Sequence, residues 1–553
     1  MSTRVHSRAA SPRAFALAGA ALLGSLSAVA GWGATSGASA GHGVHLVTTT
    51  PPAKGGLSSI TWDLPDGEPT TLDYVKAGDY SPDVMISNLC DDLLRLTPTW
   101  RYKPGLAQSW KYTNPTTLVL TLRHGVHFWN GQELTSADVV YSMQRNMTSK
   151  NTPVNGTFYK FVKSITATGP FQVTVHFTVP DELFIKEMAT VAGAVAEKSY
   201  IQAKGTSYGT AAGGVMCTGP YELAQWNPGN DIVLQANPHY WTPAYKAKIK
   251  TVTVKFIVDT STLTSALLSG EITGAYEVPT ASYPELETAS DGRLYFGPSL
   301  AVLELLPAVT TGPMGNPKLR EALSLALNRT AIASVVFDGA ATPNKALTPR
   351  TAWDPTAKTV YSSAYAKLPS LKPNLAKARR LVRSVRNHSG TITLGLLAGD
   401  QTEVEIATAV QQAAQQIGLK VKLDELQPLA FSNAFYLPQY RKGLDLLETF
   451  GYLDVPDPLD YLELFIGKTA IFNWTHYHNS TVFSDVTKAY RTFNAKARAH
   501  LITSAQAIYT KDQLVIPMLN PDEGLFLNKK ITGAPVSFAY IYEPCLAKLG
   551  ASR

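Results

Sequence analysis

The sequence predicts an α/β protein built from two or more domains, and three observations lead to this prediction. A chain of 553 residues is longer than one hydrophobic core usually supports. Its composition, 45% apolar and 16% charged residues, is that of a soluble globular protein, because disordered chains are much more polar. Residues 391–397 read as a buried strand, 400–416 as a helix and 419–423 as a strand, the order typical of parallel pairing.

The charge of the chain argues against nucleic acid as a partner. The formal net charge is +7, but the Lys and Arg residues are spread thinly along the sequence. No run of them has the density that follows a phosphate backbone.

The N-terminus has the features of a signal peptide, which we predict for residues 1–40. Arg4, Arg8 and Arg13 precede an apolar run rich in Ala and Leu, and residues 38–40 are small, as signal peptidase requires. An uncleaved membrane anchor is the alternative, although the run is short for the roughly 20 residues of a spanning helix. We expect an exported protein with a linker over residues 41–56.

The first third of the mature chain predicts a helix, a hairpin and a capped helix. Residues 85–96 place apolar side chains on one face and predict a helix. Residues 116–123 alternate as a strand, and 126–129 return after the turn at 124–125. Thr135 and Asp138 have the spacing of a capping box, which predicts a helix N-terminus.

The middle of the chain is predicted from turn and cap signals. Residues 221–235 read as a hairpin with a Pro-Gly turn, followed by a strand at 250–258. A helix is predicted over 260–269, because Gly270 follows it, and residues 295–305 read as extended. Asn316 and Pro317 are a typical N-cap and first-turn pair for the next helix.

The last third continues the α/β pattern. Residues 372–386 predict a basic, exposed helix ahead of the strand–helix–strand unit, in which Asp400 and Glu403 cap the helix and Gly418 ends it. A helix is predicted at 496–509 and a strand at 514–519.

Two motifs that suggest chemistry lack the context that the chemistry needs. Residues 205–209 fit G-x-S-x-G, but polar, helix-like flanks replace the buried strand that a nucleophilic Ser207 requires. His476 and His478 have no third or fourth ligand near them in the sequence, so we predict no metal site. No phosphate-binding or dinucleotide-binding loop is present, and we expect no cofactor.

Three cysteines, Cys90, Cys217 and Cys545, allow at most one disulfide bond in an exported chain. The residues alone do not choose among the three possible pairs.

Three stretches carry a family resemblance. Residues 217–241 read C-T-G-P-Y-E-L-A-Q-W-N-P-G-N-D-I-V-L-Q-A-N-P-H-Y-W, residues 122–142 read L-R-H-G-V-H-F-W-N-G-Q-E-L-T-S-A-D-V-V-Y-S, and residues 318–329 read K-L-R-E-A-L-S-L-A-L-N-R. In this order they resemble the peptide-type, family 5 extracellular solute-binding proteins of ABC transporters. The resemblance implies a type II periplasmic-binding-protein fold with two lobes, a hinge and three domain segments.

The resemblance also implies domain boundaries. Domain I would be discontinuous, domain II an insertion, and domain III the part that closes over the ligand as a hinged body. The expected segments are 57–90, 215–297 and 516–553 for domain I, 91–214 for domain II and 298–515 for domain III.

Most of the candidate ligand-binding residues lie in one stretch, F-G-Y-L-D-V-P-D-P-L-D-Y-L at residues 450–462. It follows an apolar strand, and open α/β folds place ligands at such strand ends. The family's matching aspartate binds the α-amine of a peptide, and Asp454 fits that position, with Tyr452 in place of a tryptophan. The alternative is a structural role in the loop or as a helix cap, which we expect for Asp457 and Asp460.

Further expectations follow from the resemblance. Tyr80, Trp474 and Tyr461 are aromatic candidates for ligand contact, whereas Thr449 stands where some oligopeptide binders carry a carboxylate-binding arginine. Crossover segments that run side by side in the resembling fold imply a disulfide between Cys90 and Cys217, with Cys545 free.

The expected function is capture of short peptides and their delivery to the permease subunits of an ABC importer by a monomeric, non-enzymatic protein. Oligosaccharides, antibiotics, nickel complexes and siderophores are alternative ligands within the family. An exported hydrolase or sensor on the same fold is the alternative class, which the absence of a plausible nucleophile and base pair disfavours.

Overall fold

The computed structural model describes residues 44–553, except residue 65 and residues 149–152, 387–389 and 469. The predicted signal peptide therefore lies outside the described residues. None of the helices in the described part of the chain has the length and apolar character that crossing a bilayer requires.

The strands form three large sheets and two small pairs. They are β1 (Leu57–Asp63), β2 (Leu94–Leu96), β3 (Tyr102–Pro104), β4 (Ala107–Asn114), β5 (Thr117–Leu122), β6 (Val162–Gly169), β7 (Gln172–Phe177), β8 (Tyr221–Asn227), β9 (Asp231–Ala236), β10 (Ile249–Lys255), β11 (Gly274–Tyr276), β12 (Gly292–Gly297), β13 (Ala301–Pro307), β14 (Ala341–Pro343), β15 (Thr391–Leu397), β16 (Lys420–Leu426), β17 (Leu446–Tyr452), β18 (Ile516–Pro521), β19 (Glu523–Asn528), β20 (Ile531–Thr532) and β21 (Gly550–Ala551).

The helices connect and cover these sheets. They are α1 (Tyr80–Leu89), α2 (Ser136–Thr148), α3 (Pro153–Phe158), α4 (Phe184–Glu187), α5 (Lys198–Lys204), α6 (Thr260–Ser269), α7 (Tyr283–Glu287), α8 (Pro317–Ala326), α9 (Arg329–Val336), α10 (Lys358–Ala366), α11 (Leu375–Ser384), α12 (Gln401–Gln416), α13 (Pro428–Tyr436), α14 (Pro458–Phe465), α15 (Ser480–Tyr490), α16 (Ala495–Lys511) and α17 (Cys545–Lys548).

The first sheet has seven strands in the order β12-β19-β11-β1-β10-β9-β8. Its strand β1 lies parallel to both β10 and β11, so the carboxyl ends of β1 and β11 meet at one edge of the sheet. The predicted hairpin is confirmed as β8 and β9, with Gly229 at a φ of 75° in the turn. A left-handed residue at this place suits glycine, because it has no Cβ to clash.

The second sheet has the order β4-β5-β7-β6 and is antiparallel throughout. The predicted strand at 116–123 is confirmed as β5, but the predicted return at 126–129 is wrong. That segment makes only an isolated bridge, His127 to Glu133, and β4 is the hairpin partner of β5. The capping box is confirmed, since the Asp138 carboxylate accepts from the backbone N–H and the hydroxyl of Thr135 at 3.0 Å.

The third sheet has six strands in the order β14-β18-β13-β17-β15-β16. The predicted strand–helix–strand unit is confirmed, because β15 and β16 pair in parallel and α12 connects them. Strand β15 is also parallel to β17, so the loops after β15 and β17 leave the same edge of the sheet. The ends of these strands position the site described below.

The predicted helix at 85–96 is wrong at both ends. Helix α1 starts at Tyr80, where the Asp79 side chain caps it, and ends at Leu89. Leu94–Leu96 is instead strand β2, paired with β3. The apolar residues around 93–96 are buried by strand pairing rather than by a helix face, and both arrangements produce a short apolar run.

The cysteines are arranged as the family resemblance implied. Cys90 and Cys217 form a disulfide with a Cα–Cα distance of 4.9 Å, and Cys545 is a buried free thiol. The bond joins the end of α1 to the segment that leads into β8.

Candidate functional site

The loop after β17 holds the predicted anchor residue, Asp454. The backbone N–H groups of Asp454 and Val455 donate to one carboxylate oxygen of Asp460, at 2.6 and 3.3 Å. Asp457 caps helix α14 by accepting from the backbone N–H of Leu459 at 3.0 Å. The predicted loop and cap roles of Asp457 and Asp460 are therefore confirmed, and together they fix the conformation of this loop.

The side chain of Asp457 has a second, purely structural role. It pairs with Lys186 at 2.7 Å and with the buried guanidinium of Arg498. These two cations, Arg498 first, hold the pKa of Asp457 at about 2 against the effect of its burial. Asp457 is thus neutralised within the protein and is no candidate for ligand contact.

Asp454 has a different environment. Its half-buried carboxylate accepts a hydrogen bond from the hydroxyl of Tyr542, which also lies 3.4 Å from the carboxylate of Asp83. Asp83 is a buried residue of α1, 1% exposed, and one of its oxygens has no hydrogen-bond partner in the described structure. Two carboxylates from distant parts of the chain thus meet at one hydroxyl.

The electrostatics of this pair favour a cation. Burial raises the pKa of Asp454 to about 6, the Tyr542 hydrogen bond acts in the opposite direction, and Glu463 raises the pKa further. Burial and then the neighbouring charges of Asp454 and Asp79 raise the pKa of Asp83 well above its usual range. No Lys or Arg of the described residues forms an ion pair with Asp454 or Asp83.

A group of aromatic rings lies beside this carboxylate pair, because Tyr452 precedes Asp454 by two residues and Tyr80 precedes Asp83 by three. The rings of Tyr80 and Tyr452 are 4.7 Å apart, and Phe538 lies 6.0 and 5.4 Å from them. Because Tyr80 belongs to α1 and Tyr452 ends β17, the group joins a helix packed on the first sheet to a strand end of the third sheet. The structure therefore brings together three of the sequence-predicted residues, Asp454, Tyr452 and Tyr80.

Tyr461 and Trp474 lie in other surroundings. Tyr461 is buried beneath β17, where its hydroxyl lies 3.5 Å from Glu304. Trp474 packs against Phe472 and Phe435, and the guanidinium of Arg441 covers its ring at 4.3 Å. Both side chains are buried, as Tyr80 is, but their packing partners differ from those of Tyr80 and Tyr452.

The remaining sequence candidates have ordinary contacts. The hydroxyl of Ser207 lies in a short 3-10 turn and donates to the backbone carbonyl of Lys204 at 2.8 Å. The His478 ring packs edge-on against Phe483. Thr449 is buried.

A cavity of about 480 Å³ lies beside the site rather than around Asp454. Its walls include Phe161, Phe483 and Tyr490, with the ion pair of Lys160 and Glu463. Glu463 connects this cavity to the Asp454 site, because its charge also raises the pKa of Asp454.

Sequence reasoning missed Tyr542 and Asp83. Tyr542 lies 88 positions after Asp454, and nothing in its sequence surroundings distinguishes it from the other tyrosines. Asp83 stands in the first turn of α1, where an acidic residue is common for helix stability alone.

Comparison with known proteins agrees with this architecture. Residues 101–473, more than half of the chain, match the family described as bacterial extracellular solute-binding proteins, family 5, middle. The glutathione-binding protein GsiB of Escherichia coli (strain K12) is 27% identical over 477 residues, covering 84% of this chain and 89% of that protein.

Two solved structures share the fold. The periplasmic binding protein DppA of Helicobacter pylori, in complex with the peptide STSA, has a TM-score of 0.79 at 21% identity, covering 90% of this chain and 99% of that chain. The oligopeptide-binding protein AppA of Bacillus subtilis, in complex with a nonapeptide, has a TM-score of 0.77 at 20% identity, covering 91% and 100%. The predicted type II periplasmic-binding-protein fold is confirmed. The chain belongs to family 5 of the bacterial extracellular solute-binding proteins, the periplasmic or extracellular components that bind solutes for ABC importers.

Proposed function

We propose that this protein captures short peptides between the first and third sheets, with Asp454 binding the α-ammonium group, and delivers them to an ABC importer. The observation that supports this most is the Asp454 carboxylate itself. It stands at a strand end, half-buried and beside aromatic rings, with Tyr542 as a hydrogen-bond donor but without a Lys or Arg partner in the described structure.

An ammonium group fits this place chemically. In a closed site that excludes water, a charge-assisted hydrogen bond between an ammonium and a carboxylate is strong because the effective dielectric is low. The rings of Tyr80 and Tyr452 supply apolar contact and cation–π attraction for the same group. We expect no catalytic turnover, since the site presents carboxylates and phenols but no activated nucleophile.

Native mass spectrometry of protein purified without denaturation tests the ligand class. We expect a co-purified short peptide, released on unfolding, and a higher melting temperature when a binding peptide is added, because ligand binds only the native state. Recovery of a neutral oligosaccharide, or cleavage of a bound peptide that Ser207→Ala abolishes, would contradict the proposal.

A further inference from the structure

The cavity beside the Asp454 site is a second candidate for ligand binding. Its volume of about 480 Å³ lies within the range of about 300–1,000 Å³ that small-molecule sites occupy. Its walls come from two distant parts of the chain, residues 157–161 ahead of β6 and residues 463–490 from the end of α14 through α15. Small molecules often bind at such junctions between packed parts of a protein.

Direct contacts hold the two walls of the cavity together. The hydroxyl of Thr157 donates to the carboxylate of Glu463 at 3.0 Å. The rings of Phe161 and Tyr490 pack edge-on with their centroids 5.6 Å apart. The backbone N–H of Glu182 donates to the carbonyl of Tyr490 at 2.9 Å. The shape of the cavity is therefore set by packed and hydrogen-bonded side chains from both parts of the chain.

Most of the wall is apolar. It includes the buried side chains of Leu464, Ile466 and Val486 and the half-buried rings of Phe161 and Phe483. Water makes few hydrogen bonds against such a wall, whereas the hydrocarbon part of a ligand gains free energy by leaving water. The cavity thus suits a ligand whose larger part is apolar.

The polar part of the wall is the ion pair of Lys160 and Glu463. The Glu463 side chain is 4% exposed and accepts hydrogen bonds from Thr157, from Lys160 and, at 2.8 Å, from the hydroxyl of Tyr490. Its oxygens are therefore largely occupied by donors of the protein itself.

Lys160 keeps hydrogen-bond donors for a ligand. An ammonium group has three N–H donors, and Glu463 accepts from Lys160 through a single oxygen. The Lys160 side chain is 33% exposed, and its Nζ lies 4.1 Å from the ring centre of Tyr490. Asp181, a further acid near Lys160, accepts from two backbone N–H groups that follow it and is not part of the wall. The polar wall therefore offers a cationic donor.

The charges around the cavity also favour an anion. Among the described residues of the wall, Glu463 is the only acid, whereas Lys160, Lys468 and the exposed His478 are basic. A carboxylate that accepts from an ammonium group forms a charge-assisted hydrogen bond, which is stronger than one between neutral groups.

We propose that this cavity is a second binding site, which takes a monocarboxylate with a hydrocarbon body, the chemistry of a medium-chain fatty acid. The hydrocarbon lies against the apolar wall, and the carboxylate accepts from the Lys160 ammonium. The inference goes beyond peptide capture and does not depend on it, because Asp454, Tyr452 and Tyr80 are not residues of this wall.

Calorimetry with three eight-carbon probes tests the class of ligand. Octanoate, octan-1-ol and octylammonium share one hydrocarbon body and differ in the head group. We expect the wild type to bind octanoate about tenfold or more tightly than octanol, and octylammonium most weakly. Lys160→Gln leaves Glu463 its hydrogen bonds from Thr157 and Tyr490, and in this variant the preference for octanoate over octanol should fall toward one.

A pair of tryptophan substitutions on α15 tests where the probe binds. Thr487 is an exposed residue of the wall, so Thr487→Trp should weaken octanoate binding by about tenfold or more, because the larger side chain occupies part of the cavity. Thr481 is exposed on the same helix but is not part of the wall. Thr481→Trp is therefore the matched control and should bind octanoate as the wild type does.

Three results would overturn the second site and leave peptide capture intact. They are a wild type that does not bind octanoate, a wild type that binds octanoate and octylammonium equally, and octanoate binding that Thr487→Trp leaves unchanged. Octanoate binding should also persist in Asp454→Asn. Loss of binding in that variant would place the probe in the peptide site and would overturn the second site as well.

Discussion

At the residue scale, the site depends on how one hydroxyl is shared between two carboxylates. Tyr542 donates to Asp454 and lies within reach of Asp83. The other acidic groups that face this pair are Asp79, Asp460, Glu463 and the buried Glu187. An ammonium ion binds the ionised form of Asp454. Binding of a permanently cationic peptide should therefore strengthen as the pH rises through the Asp454 pKa of about 6.

Tyr542→Phe is the residue-scale prediction that follows. The hydrogen bond from Tyr542 lowers the pKa of Asp454, so its loss should move the pH midpoint of peptide binding upward from about 6. Calorimetry across pH 5 to 8 measures the midpoint. Tyr509→Phe is the control, because it removes a buried hydroxyl that has no hydrogen-bond partner among the described residues, and it should leave the midpoint unchanged. An unchanged midpoint in Tyr542→Phe would contradict the role given to this hydroxyl.

The sequence predicted Asp454, Tyr452 and Tyr80 of this site, but not Tyr542 or Asp83. The family resemblance selects Asp454 from the acids of a loop that follows an apolar strand, and it selects Tyr452 just before that loop. Tyr542 and Asp83 come from the chain end and from α1, and only tertiary packing brings them to Asp454. A tyrosine or a first-turn aspartate, taken alone in the sequence, does not indicate a contact with a residue so far away along the chain.

At the element scale, prediction succeeded where a cap or a glycine marks the end of a helix. The helices predicted at 260–269 and up to Gln416 match α6 and α12, because Asp259 and Asp400 accept from N-terminal N–H groups and Gly270 takes a left-handed conformation. The helix predicted at 85–96 failed since no such signal separates Leu89 from the short strand β2. The N-cap at Asp79 precedes Tyr80, Ser81 and Pro82, which the predicted helix does not include.

The disulfide carries an element-scale prediction. Cys90 and Cys217 close a loop of 127 positions, and a bond across so long a loop restricts the unfolded chain strongly. Replacing both by serine should lower the free energy of unfolding by about 2–5 kcal/mol. Urea denaturation with and without reductant measures this loss.

The free cysteine supplies the control for that experiment. Cys545→Ala keeps the disulfide, so its stability should still fall when reductant is added. The serine double variant should not respond to reductant. A wild-type protein whose stability is the same with and without reductant would contradict the pairing.

At the scale of the whole molecule, the first and third sheets are built from chain segments that are far apart in sequence. Strand β19 pairs with β11 and β12, and β18, just before it, pairs with β13 and β14 of the other large sheet. The hydrophobic periodicity of the sequence cannot predict which strands pair, because it describes one strand at a time. The family resemblance supplied the fold, and the domain boundaries drawn from it remain predictions.

The excess of buried carboxylates predicts how stability depends on pH. The folded pKa values of Asp454 and Glu403, about 6 and 8, lie above the unfolded values of these groups, so the native state binds more protons between pH 4 and 8. Stability of the ligand-free protein should therefore fall as the pH rises from about 5 to 8. Asp457, whose pKa is about 2, contributes stability that is lost only below about pH 4 and does not alter this slope.

Thermal denaturation between pH 5 and 8 measures this dependence. A saturating cationic ligand should flatten the slope because it stabilises the ionised form of Asp454. A melting temperature that rises across this range would show that the carboxylates are not held in their protonated form by the fold.

Asp454→Asn, measured by calorimetry with one tripeptide in free and N-acetylated form, tests the central claim most directly. Removing one partner of a buried charge pair costs about 2–5 kcal/mol, so the variant should bind the free peptide about tens- to thousands-fold more weakly. Acetylation should weaken binding to the wild type by a similar factor and have little effect on the variant. Equal binding of both peptides by the wild type, or unchanged binding of the free peptide by Asp454→Asn, would contradict the amine anchor at Asp454.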